Sequence, residues 1–388
     1  MPLVNLKDML THAYQNGYAV GAFDAVSLDF VTGIMDAAEE TRSPVILSVA
    51  ESHFDYFDFE LLMSAMETAA KRATVPVAIH MDHAMSLDTA VRSIRHGCNG
   101  VMVDASHLPL DKNITETLAV REMAQGCGVP VEGELGYVPG VEGEDAERHP
   151  GEISYTTVDE AKTFVERTGV DFLAVSIGTV HGRMRGEPVL DYDRLKDIND
   201  ALRMPLVLHG GTGLGDEQYK RLIENGITKI NYYTALAEAA GAQVRENSAT
   251  GKGNYTGQMT GAAEAIAKEV ARCMALWGCH GRADAVLEQC QPWTPVEHLI
   301  IYNTTNADPA NDQTMIKEGE RVLSQIPGVM RIFTGNAVQD DAGYRYTWLV
   351  KFCHPAVIDS YREHPDHVAF ADTHFRPIAG DRISIDYQ

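Results

Sequence analysis

The chain has few basic residues and no long apolar run, and both absences exclude classes of protein. Its 388 residues include 32 Lys and Arg against 55 Asp and Glu, which gives a formal net charge of -23. Nucleic acid and anionic membranes are bound through clustered basic residues, so neither partner is expected. No segment approaches the roughly 20 apolar residues that span a bilayer. The first residues, "MPLVNLKDML", also lack the features of a signal peptide, so we expect a soluble, cytoplasmic protein.

Closely spaced cysteines are also lacking. The six cysteines form no CxxC pair; they are Cys98, Cys127, Cys273, Cys279, Cys290 and Cys353. This spacing predicts neither a zinc knuckle nor a disulfide framework, and it favours reduced thiols in a cytosol.

Eight short apolar runs, rich in β-branched residues, are predicted to be strands. They cover residues 18–23, 43–50, 75–81, 100–105, 129–135, 171–178, 204–210 and 227–233. Between them lie segments with apolar residues at helical spacing, such as 30–42 and 87–97. Apolar strands that alternate with helices indicate parallel strands buried on both faces. We therefore predict an α/β fold of the (β/α)8 TIM-barrel type, with a doubly wound open sheet as the alternative.

Reactive side chains recur where the predicted strands end. They are Asp82 and His83 after the third strand, Asp104 at the end of the fourth, Glu134 at the end of the fifth, His181 after the sixth and His209 at the end of the seventh. In a TIM barrel this is the end that carries the active site. One such histidine alone is more often structural, but three of them with carboxylates favour a metal site. Three neutral imidazoles leave a catalytic Zn²⁺ an open coordination position, from which it acts as a Lewis acid.

Glycine-rich loops follow the last two predicted strands. "HGGTG" covers residues 209–213 and "NYYT" covers residues 231–234, and the corresponding loops of TIM barrels often bind phosphate. Gly210, Gly211 and Gly213 allow backbone N–H groups to approach an anion, and Thr212 and Thr234 add hydroxyl donors. Such a loop is also compatible with a simple turn, but its position beside the histidine at 209 favours phosphate.

Six motifs resemble, in order and spacing, those of the class II, metal-dependent fructose-bisphosphate and tagatose-bisphosphate aldolases. They are "HMDHA", "VMVDAS", "VEGELG", "GTVHG", "LVLHGGTG" and "KINYYT", and the resemblance extends from residue 1 to about 285. It implies a zinc ion, or another divalent transition metal, bound by His83, His181 and His209. Asp104 and Glu134 match a second or alternative metal position, and a monovalent cation is a further option.

The same resemblance implies two catalytic carboxylates. Asp82 matches the acid or base that acts on the hydroxyl of the bond being broken, and Glu142 matches the residue that transfers a proton to the enediolate carbon. Glu142 lies in a loop rich in glycine and acidic residues, which is also typical of an ordinary surface lid. His80 is expected to support His83 rather than to bind the metal.

The substrate would be a phosphorylated sugar. The positions that match binders of its dihydroxyacetone phosphate half are Gly182, Gly210, Gly211, Thr212, Asn231 and Thr234, to which the loop adds Gly213. Asp24, Arg185 and Tyr233 also fall at substrate positions, but there the relatives have Asn, Lys and a small or polar residue.

Further departures concern the distal half of the sugar. Asp24 and the residues Ala50, Glu51 and Ser52, which stand where many relatives have Ser-Glu-Gly, match positions that line this region. The hydroxyl lost at position 50 and the carboxylate gained at position 24 both disfavour a second phosphate. Ala263 stands where some relatives have Arg. Arg272 and Arg282 are the remaining candidates for a distal phosphate ligand, so a ketose 1-phosphate is at least as well supported as a bisphosphate.

The C-terminal part has a different character. We predict a barrel over residues 1–288, a linker over 289–296 and, over 297–388, a ferredoxin-like α+β domain with the order strand, helix, strand, strand, helix, strand. "HLIIYN", "IPGV" and "YREHPDHVAF" resemble the stress-responsive α/β-barrel (Dabb) domains, which commonly pair. This implies a homo-oligomer, a dimer or tetramer, with the domain at the interface. His298, His364 and His367 are interpreted as structural because no carboxylate cluster accompanies them.

These observations predict a zinc-dependent class II aldolase. It would reversibly cleave a ketose 1-phosphate or a 1,6-bisphosphate into dihydroxyacetone phosphate and an aldehyde through a metal-stabilised enediolate. The alternative is a non-catalytic or regulatory sugar-phosphate-binding protein. A metal-dependent hydrolase on this fold needs an HxH pair at the end of the first strand, and "GAFDAV" has none.

Overall fold

The computed structural model describes residues 2–138, 154–182, 189–305 and 309–388. The chain divides into two compact units. The first comprises Met1–Ala90, Cys98–Arg121 and Pro130–Pro292, and the second comprises Val91–Gly97, Glu122–Val129 and Trp293–Gln388. No helix among the described residues has the length and apolar character needed to cross a membrane.

The first unit contains a closed barrel of eight parallel strands, each paired with its neighbours in chain order, so the predicted TIM barrel is confirmed. The strands are β1 (Val20–Asp24), β2 (Val45–Ala50), β3 (Val77–Ala84), β4 (Gly100–Val103), β5 (Val131–Leu135), β6 (Phe172–Val175), β7 (Leu206–Leu208) and β8 (Ile227–Tyr232). Their residues are buried almost without exception, as expected for parallel strands covered on both faces. The open-sheet alternative is therefore wrong.

Helices alternate with these strands. They are α1 (Leu6–Asn16), α2 (Leu28–Thr41), α3 (Phe59–Arg72), α4 (Leu87–Arg95), α5 (Leu110–Gly126), α6 (Val158–Thr168), α7 (Tyr192–Leu202), α8 (Asp216–Glu224), α9 (Thr234–Ala249), α10 (Tyr255–Met259), α11 (Ala262–Leu276) and α12 (Ala283–Gln289). Local chemistry sets several ends: α6 starts in a capping box between Thr157 and Glu160 and ends at Gly169, whose φ is 66°. A 3-10 helix, Glu51–Tyr56, follows β2.

The end of β3 departs from the sequence prediction. This strand continues to Ala84, so Asp82 and His83 lie within it rather than after it. Its pairing with β4 shifts register between Met81 and Ala84, which marks a bulge, and His83 has a φ of 48°. Consecutive residues of a regular strand face opposite sides, whereas a bulge allows Asp82 and His83 to approach each other at the barrel mouth.

The second unit contains the C-terminal α+β domain, and this part of the fold prediction is also confirmed. Its elements are β9 (Val296–Thr304), α13 (Pro309–Leu323), β10 (Val329–Asn336), β11 (Tyr346–Phe352), α14 (Val357–Glu363), α15 (Pro365–Phe370), a π-helical turn (Ala371–Phe375) and β12 (Ala379–Tyr387). The antiparallel sheet has the order β10-β11-β9-β12. The Trp348 ring packs against Phe370 and the Phe352 ring against Tyr361, so one sheet face forms the core with the helices.

Candidate metal and substrate site

Three histidines meet at the carboxyl ends of the strands. His83 lies in the bulge of β3, while His181 and His209 follow β6 and β7. Their ligand atoms lie within 4.8 Å of one another, and His83 Nε2 is 2.9 Å from His209 Nδ1. His83, Asp104 and Glu134 form a second group that meets the same distance limit. The structure thus brings together all five residues that the sequence assigned to metal binding.

Hydrogen bonds determine which ring nitrogens face the centre of this cluster. His83 Nδ1 donates to Asp104 Oδ2 at 2.8 Å, and His181 Nδ1 donates to the Val138 carbonyl at 3.1 Å. His209 Nε2 donates to Glu132 Oε1 at 3.0 Å. Each acceptor fixes a proton on the nitrogen that it contacts, so the opposite nitrogen of each ring is the one that is available to a metal ion at the centre of the cluster.

Several buried polar atoms of the cluster have no hydrogen-bond partner among the described residues. They are His181 Nε2, Asp82 Oδ2 and Glu134 Oε2. Burial of polar atoms without a partner is unfavourable, and a cation coordinated among them removes that cost. Imidazole nitrogens together with carboxylate oxygens are a donor set that suits zinc and neighbouring divalent metals. The residues present therefore fit a divalent ion.

The electrostatics of the cluster also favour a cation. Burial lowers the pKa of His83, but the carboxylates of Asp82 and Asp104 outweigh burial and place this pKa well above its usual value. Burial and the charge of Asp104 raise the pKa of Glu134 well above its usual value. Burial and the charge of His83 lower the pKa of His181 to about 4. Without an ion, protons on His83 and Glu134 compensate the concentrated negative charge.

Asp82 is fully buried beside these histidines. Its Oδ1 accepts a hydrogen bond from Asn231 Nδ2 at 2.8 Å, and its Oδ2 lies 3.8 Å from His83 Nε2. Burial raises the pKa of Asp82, but the neighbouring charges of His83 and His209 prevail and lower it below the usual value. Asp82 is therefore ionised at neutral pH and able to accept a proton.

A cavity of about 450 Å³ opens beside the cluster. Its lining residues are Glu51, Ser52, His83, Met85, Asp104, Ser106, His107, Tyr137, Val138 and His181. The Glu51 carboxylate is held in place because it accepts hydrogen bonds from the Met85 N–H at 2.7 Å and from Thr89 Oγ1 at 2.9 Å. Ser52, which stands where many relatives of the aldolase family have Gly, also forms part of the wall.

The glycines assigned to phosphate binding follow β6 and β7 at the same end of the barrel. Gly182, Gly210 and Gly213 have φ values of 78°, 65° and 92°. At Gly210 a Cβ would lie 2.2 Å from the Val180 carbonyl oxygen, so no larger residue fits there. Gly211 approaches β8, where a Cβ would lie 3.2 Å from the Asn231 carbonyl oxygen.

The remaining predicted substrate residues occupy the neighbouring strand ends. Thr212 and Thr234 are buried, and Asp24 is buried at the end of β1. The ring of Tyr233 lies between Phe30 and His53, with centroid distances of 5.9 and 4.3 Å. Tyr233 therefore contributes packing in addition to any role toward substrate.

Two predicted residues lie outside the described part of the chain, and two others lie away from the cavity. Glu142 and Arg185 fall outside the described residues, so their roles stay predictions. Arg272 is paired with Glu269 on α11, and Arg282 lies over the ring of Tyr18, which precedes β1 at the opposite end of the barrel. Neither arginine lines the cavity described above.

The histidines of the C-terminal domain have local partners. His364 Nδ1 accepts the Asp366 N–H at the start of α15, and His367 Nδ1 donates to the Arg362 carbonyl. His298 Nδ1 lies 2.6 Å from Asp386 Oδ1, a carboxylate contact that the sequence did not reveal. These contacts agree with a structural interpretation.

A buried ion pair beneath the site was not expected from the sequence. Lys229 on β8 and Glu132 on β5 are fully buried, with Nζ and Oε2 2.8 Å apart. His80, which was expected to support His83, instead has its Nε2 3.6 Å from the same carboxylate oxygen. The sequence did contain a signal for this pair: Lys229 and Glu132 are charged residues of opposite sign within strands that were predicted to be buried on both faces.

The barrel and the polar cluster at its carboxyl end define an α/β-barrel enzyme with a metal-type site. A family model described as "Fructose-bisphosphate aldolase class-II" matches residues 4–282. The chain therefore belongs to the class II fructose-bisphosphate aldolase family, whose members are lyases and are generally metal-dependent. A second model, "Stress Responsive A/B Barrel Domain" (Dabb), matches residues 296–388. Both resemblances recognised in the sequence are confirmed.

Individual relatives agree with this assignment. The chain is 40% identical over 258 residues to a "Probable fructose-bisphosphate aldolase" of Bacillus subtilis (strain 168), covering 66% of this chain and 90% of the relative. It is 38% identical over 239 residues to a "Sulfofructosephosphate aldolase" of Alkalicoccus urumqiensis, covering 62% of this chain and 83% of the relative. Among solved structures, the YdjI aldolase from Escherichia coli K12 is 35% identical, with a TM-score of 0.66, covering 72% of this chain and 99% of that one.

Proposed function

We propose that this protein is a zinc-dependent aldolase that reversibly cleaves a phosphorylated ketose into dihydroxyacetone phosphate and an aldehyde. The observation that carries the proposal is the cluster of His83, His181 and His209, which adjoins the ionised Asp82. The site contains buried polar atoms that have no hydrogen-bond partner in the described part of the chain. A non-catalytic sugar-phosphate-binding protein would not require this combination.

The geometry of the described residues supports the roles proposed for the zinc ligands and for Asp82. When bound by the three histidines, zinc supplies the Lewis acidity that stabilises negative charge on a substrate oxygen. Asp82 Oδ1 is engaged by Asn231, so Oδ2 is the oxygen that removes the proton from the hydroxyl next to the bond being broken. Asp104 and Glu134 are proposed to offer an alternative metal position. Glu142 is proposed to transfer the proton at the enediolate carbon.

Backbone amides are proposed to bind the phosphate of the dihydroxyacetone half. Gly182, Gly210, Gly211 and Gly213 bring main chain to the rim of the barrel without side chains, so N–H groups can approach an anion closely. Thr212 and Thr234 add hydroxyl donors, and Asn231 lies between this loop and Asp82.

The distal half of the substrate is proposed to lack a second phosphate. Asp24 has a carboxylate where relatives have an amide, Ala50 lacks the hydroxyl of the Ser found in many relatives, and neither arginine considered as a phosphate ligand lines the cavity. The names of the relatives include both a fructose-bisphosphate and a sulfofructosephosphate aldolase, which supports variation of the distal group within the family. We therefore favour a ketose 1-phosphate over a 1,6-bisphosphate, with kcat/KM for matched pairs of sugars as the test.

The decisive test of catalysis does not require the aldehyde to be known. Proton NMR in deuterium oxide follows exchange of the carbon-bound proton of dihydroxyacetone phosphate, with and without a chelator. Exchange that depends on zinc supports enediolate chemistry, and a screen of aldehydes then identifies the second substrate. Binding of dihydroxyacetone phosphate by zinc-loaded protein, with neither exchange nor aldol formation, would favour the non-catalytic alternative.

The proposed assembly is a homo-oligomer, a dimer or tetramer, formed through the open face of the C-terminal sheet. Phe333, Leu349, Leu299 and Ile385 are cross-strand neighbours in one row over all four strands. Phe333 is 50% exposed and Ile385 is 43% exposed, although apolar side chains in such rows are normally covered. A second copy of the same sheet presents a complementary apolar row.

A further inference from the structure

A buried ion pair crosses the interior of the barrel below the proposed metal cluster. Lys229 projects from β8 and Glu132 from β5, and these strands are not neighbours in the sheet. The ammonium lies 2.8 Å from Glu132 Oε2, and both side chains are fully buried. Such a pair contributes little net stability, because the loss of hydration offsets the attraction. A reason other than stability is therefore needed to explain this ion pair.

Lys229 also contacts the residue that holds Asp82. Its Nζ donates to Asn231 Oδ1 at 2.7 Å. A protonated amine has donors and no acceptor, so the amide must present its oxygen to Lys229. The amide nitrogen then necessarily faces the other way, where it donates to Asp82 Oδ1 at 2.8 Å.

The orientation of this amide has a consequence for Asp82. With Asn231 bound to Oδ1, the second oxygen of the carboxylate stays without a hydrogen-bond partner among the described residues. If the amide were turned over, its oxygen would face the carboxylate and repel it. A cation at position 229 excludes that arrangement.

The other half of the ion pair acts on the metal cluster. Glu132 Oε1 accepts a hydrogen bond from His209 Nε2 at 3.0 Å, which leaves His209 Nδ1 facing His83. One buried pair is therefore connected to both parts of the site, through Asn231 to Asp82 and through Glu132 to His209.

We propose that Lys229 is a positioning residue: it fixes the Asn231 amide and thereby selects Oδ2 of Asp82 as the oxygen that exchanges a proton with substrate. The inference rests on the proposed role of Asp82 in bond cleavage. The competing explanation is that Lys229 only neutralises Glu132.

A pair of variants separates these explanations. Lys229→Met alone would leave Glu132 buried and unpaired, which endangers folding. The double variant Lys229→Met/Glu132→Gln removes both charges and retains an acceptor for His209. Glu132→Gln alone is the matched control, because it keeps the amine that orients Asn231; it also leaves that amine without a carboxylate, so its thermal unfolding is measured beside its activity.

The double variant is expected to reduce cleavage of the substrate much more than it reduces proton exchange of dihydroxyacetone phosphate. Asp82 is assigned to the hydroxyl proton in cleavage and Glu142 to the proton of dihydroxyacetone phosphate. The double variant should therefore lose about 100-fold in kcat for cleavage, while KM changes less than about threefold and proton exchange falls at least tenfold less than cleavage. Zinc content by mass spectrometry should stay at the wild-type level. Glu132→Gln should lose clearly less cleavage activity than the double variant.

A crystal structure tests the proposal without any measurement of activity. In a crystal structure of the metal-free double variant, Asn231 Nδ2 should lie beyond hydrogen-bonding distance from Asp82 Oδ1. Lys229→Arg, which keeps the charge and the donors, should retain at least tenfold more cleavage activity than the double variant, and it provides a test if the double variant does not fold.

Three outcomes would overturn the proposal. A double variant that cleaves substrate at nearly the wild-type rate would leave Lys229 as a mere counter-charge. An equal loss of cleavage and exchange would indicate general damage to the site. Wild-type protein that is inactive in both reactions would contradict the proposed function itself, and this outcome is recognised before any variant is made.

Discussion

His83 Nε2 and His209 Nδ1 lie 2.9 Å apart, and each belongs to a ring whose other nitrogen is already engaged by a carboxylate. Two lone pairs at this separation repel each other, so a proton or a cation must lie between them. The carboxylates around His83 outweigh its burial and raise its pKa well above the usual value, which places that proton on His83. A divalent ion must displace it.

Zinc binding is therefore expected to release about one proton per site at pH 7. Isothermal titration calorimetry in buffers of different ionisation enthalpy measures this number directly. Because proton and ion compete for His83, the apparent zinc affinity should rise with pH up to the raised pKa of this histidine. Binding without proton release, or an affinity independent of pH, would contradict the arrangement.

Single substitutions should separate metal binding from proton transfer. His83→Ala and His181→Ala remove ligand nitrogens and are expected to lose zinc during dialysis. Asp82→Asn keeps the size of the side chain and should retain zinc, but it should lose roughly 10²- to 10⁴-fold in kcat because it no longer accepts a proton. Metal analysis and steady-state cleavage kinetics on the same samples provide the measurement. Normal turnover in Asp82→Asn, or in chelator-treated wild type, would refute the assignment.

The barrel was predictable from sequence because its signals are local. Alternating apolar strands and amphipathic helices need no knowledge of distant contacts, and the strand ends identified the cluster. The bulge in β3 was not predictable, since it is defined by pairing with β4 and by the φ of 48° at His83. The ion pair of Lys229 with Glu132 was also not predictable, because only closure of the barrel brings β5 and β8 face to face.

The open sheet face offers a test of assembly. The double variant Phe333→Glu/Ile385→Glu places two charges in the cross-strand row, and it should lower the molecular mass of the assembly measured by light scattering. Val338→Glu is the matched control, because this residue is 92% exposed and lies outside the four strands. An unchanged mass in the double Glu variant would show that the assembly uses another surface.

All six cysteines are buried and free of disulfides, so the native protein should resist thiol reagents. Burial raises the pKa of Cys279 and, with a smaller effect from Asp8, that of Cys290, each to about 12. The thiolate is the reactive form, and it is scarce at neutral pH for such groups. A colorimetric thiol assay should therefore detect almost no reaction in native protein and six thiols after denaturation. Rapid reaction of any thiol in native protein would contradict this burial.

Two glycines of the proposed phosphate loop differ in what they can tolerate, although both have positive φ. At Gly210 an added Cβ would lie 2.2 Å from the Val180 carbonyl oxygen, whereas at Gly213 it meets nothing within 4 Å. Gly213→Ala therefore adds only the conformational cost of a left-handed residue, about 1 kcal/mol, while Gly210→Ala adds a clash with backbone and should cost roughly 3 kcal/mol or more.

Thermal unfolding and KM for the phosphorylated substrate test this difference together. Gly210→Ala should lower the melting temperature clearly more than Gly213→Ala, and it should raise KM because the loop must shift to relieve the clash. Equal melting temperatures would mean that the close approach to Val180 is not maintained in solution. A large drop in stability with unchanged KM would separate the loop from phosphate binding, since the displaced amides would then have no contact with substrate.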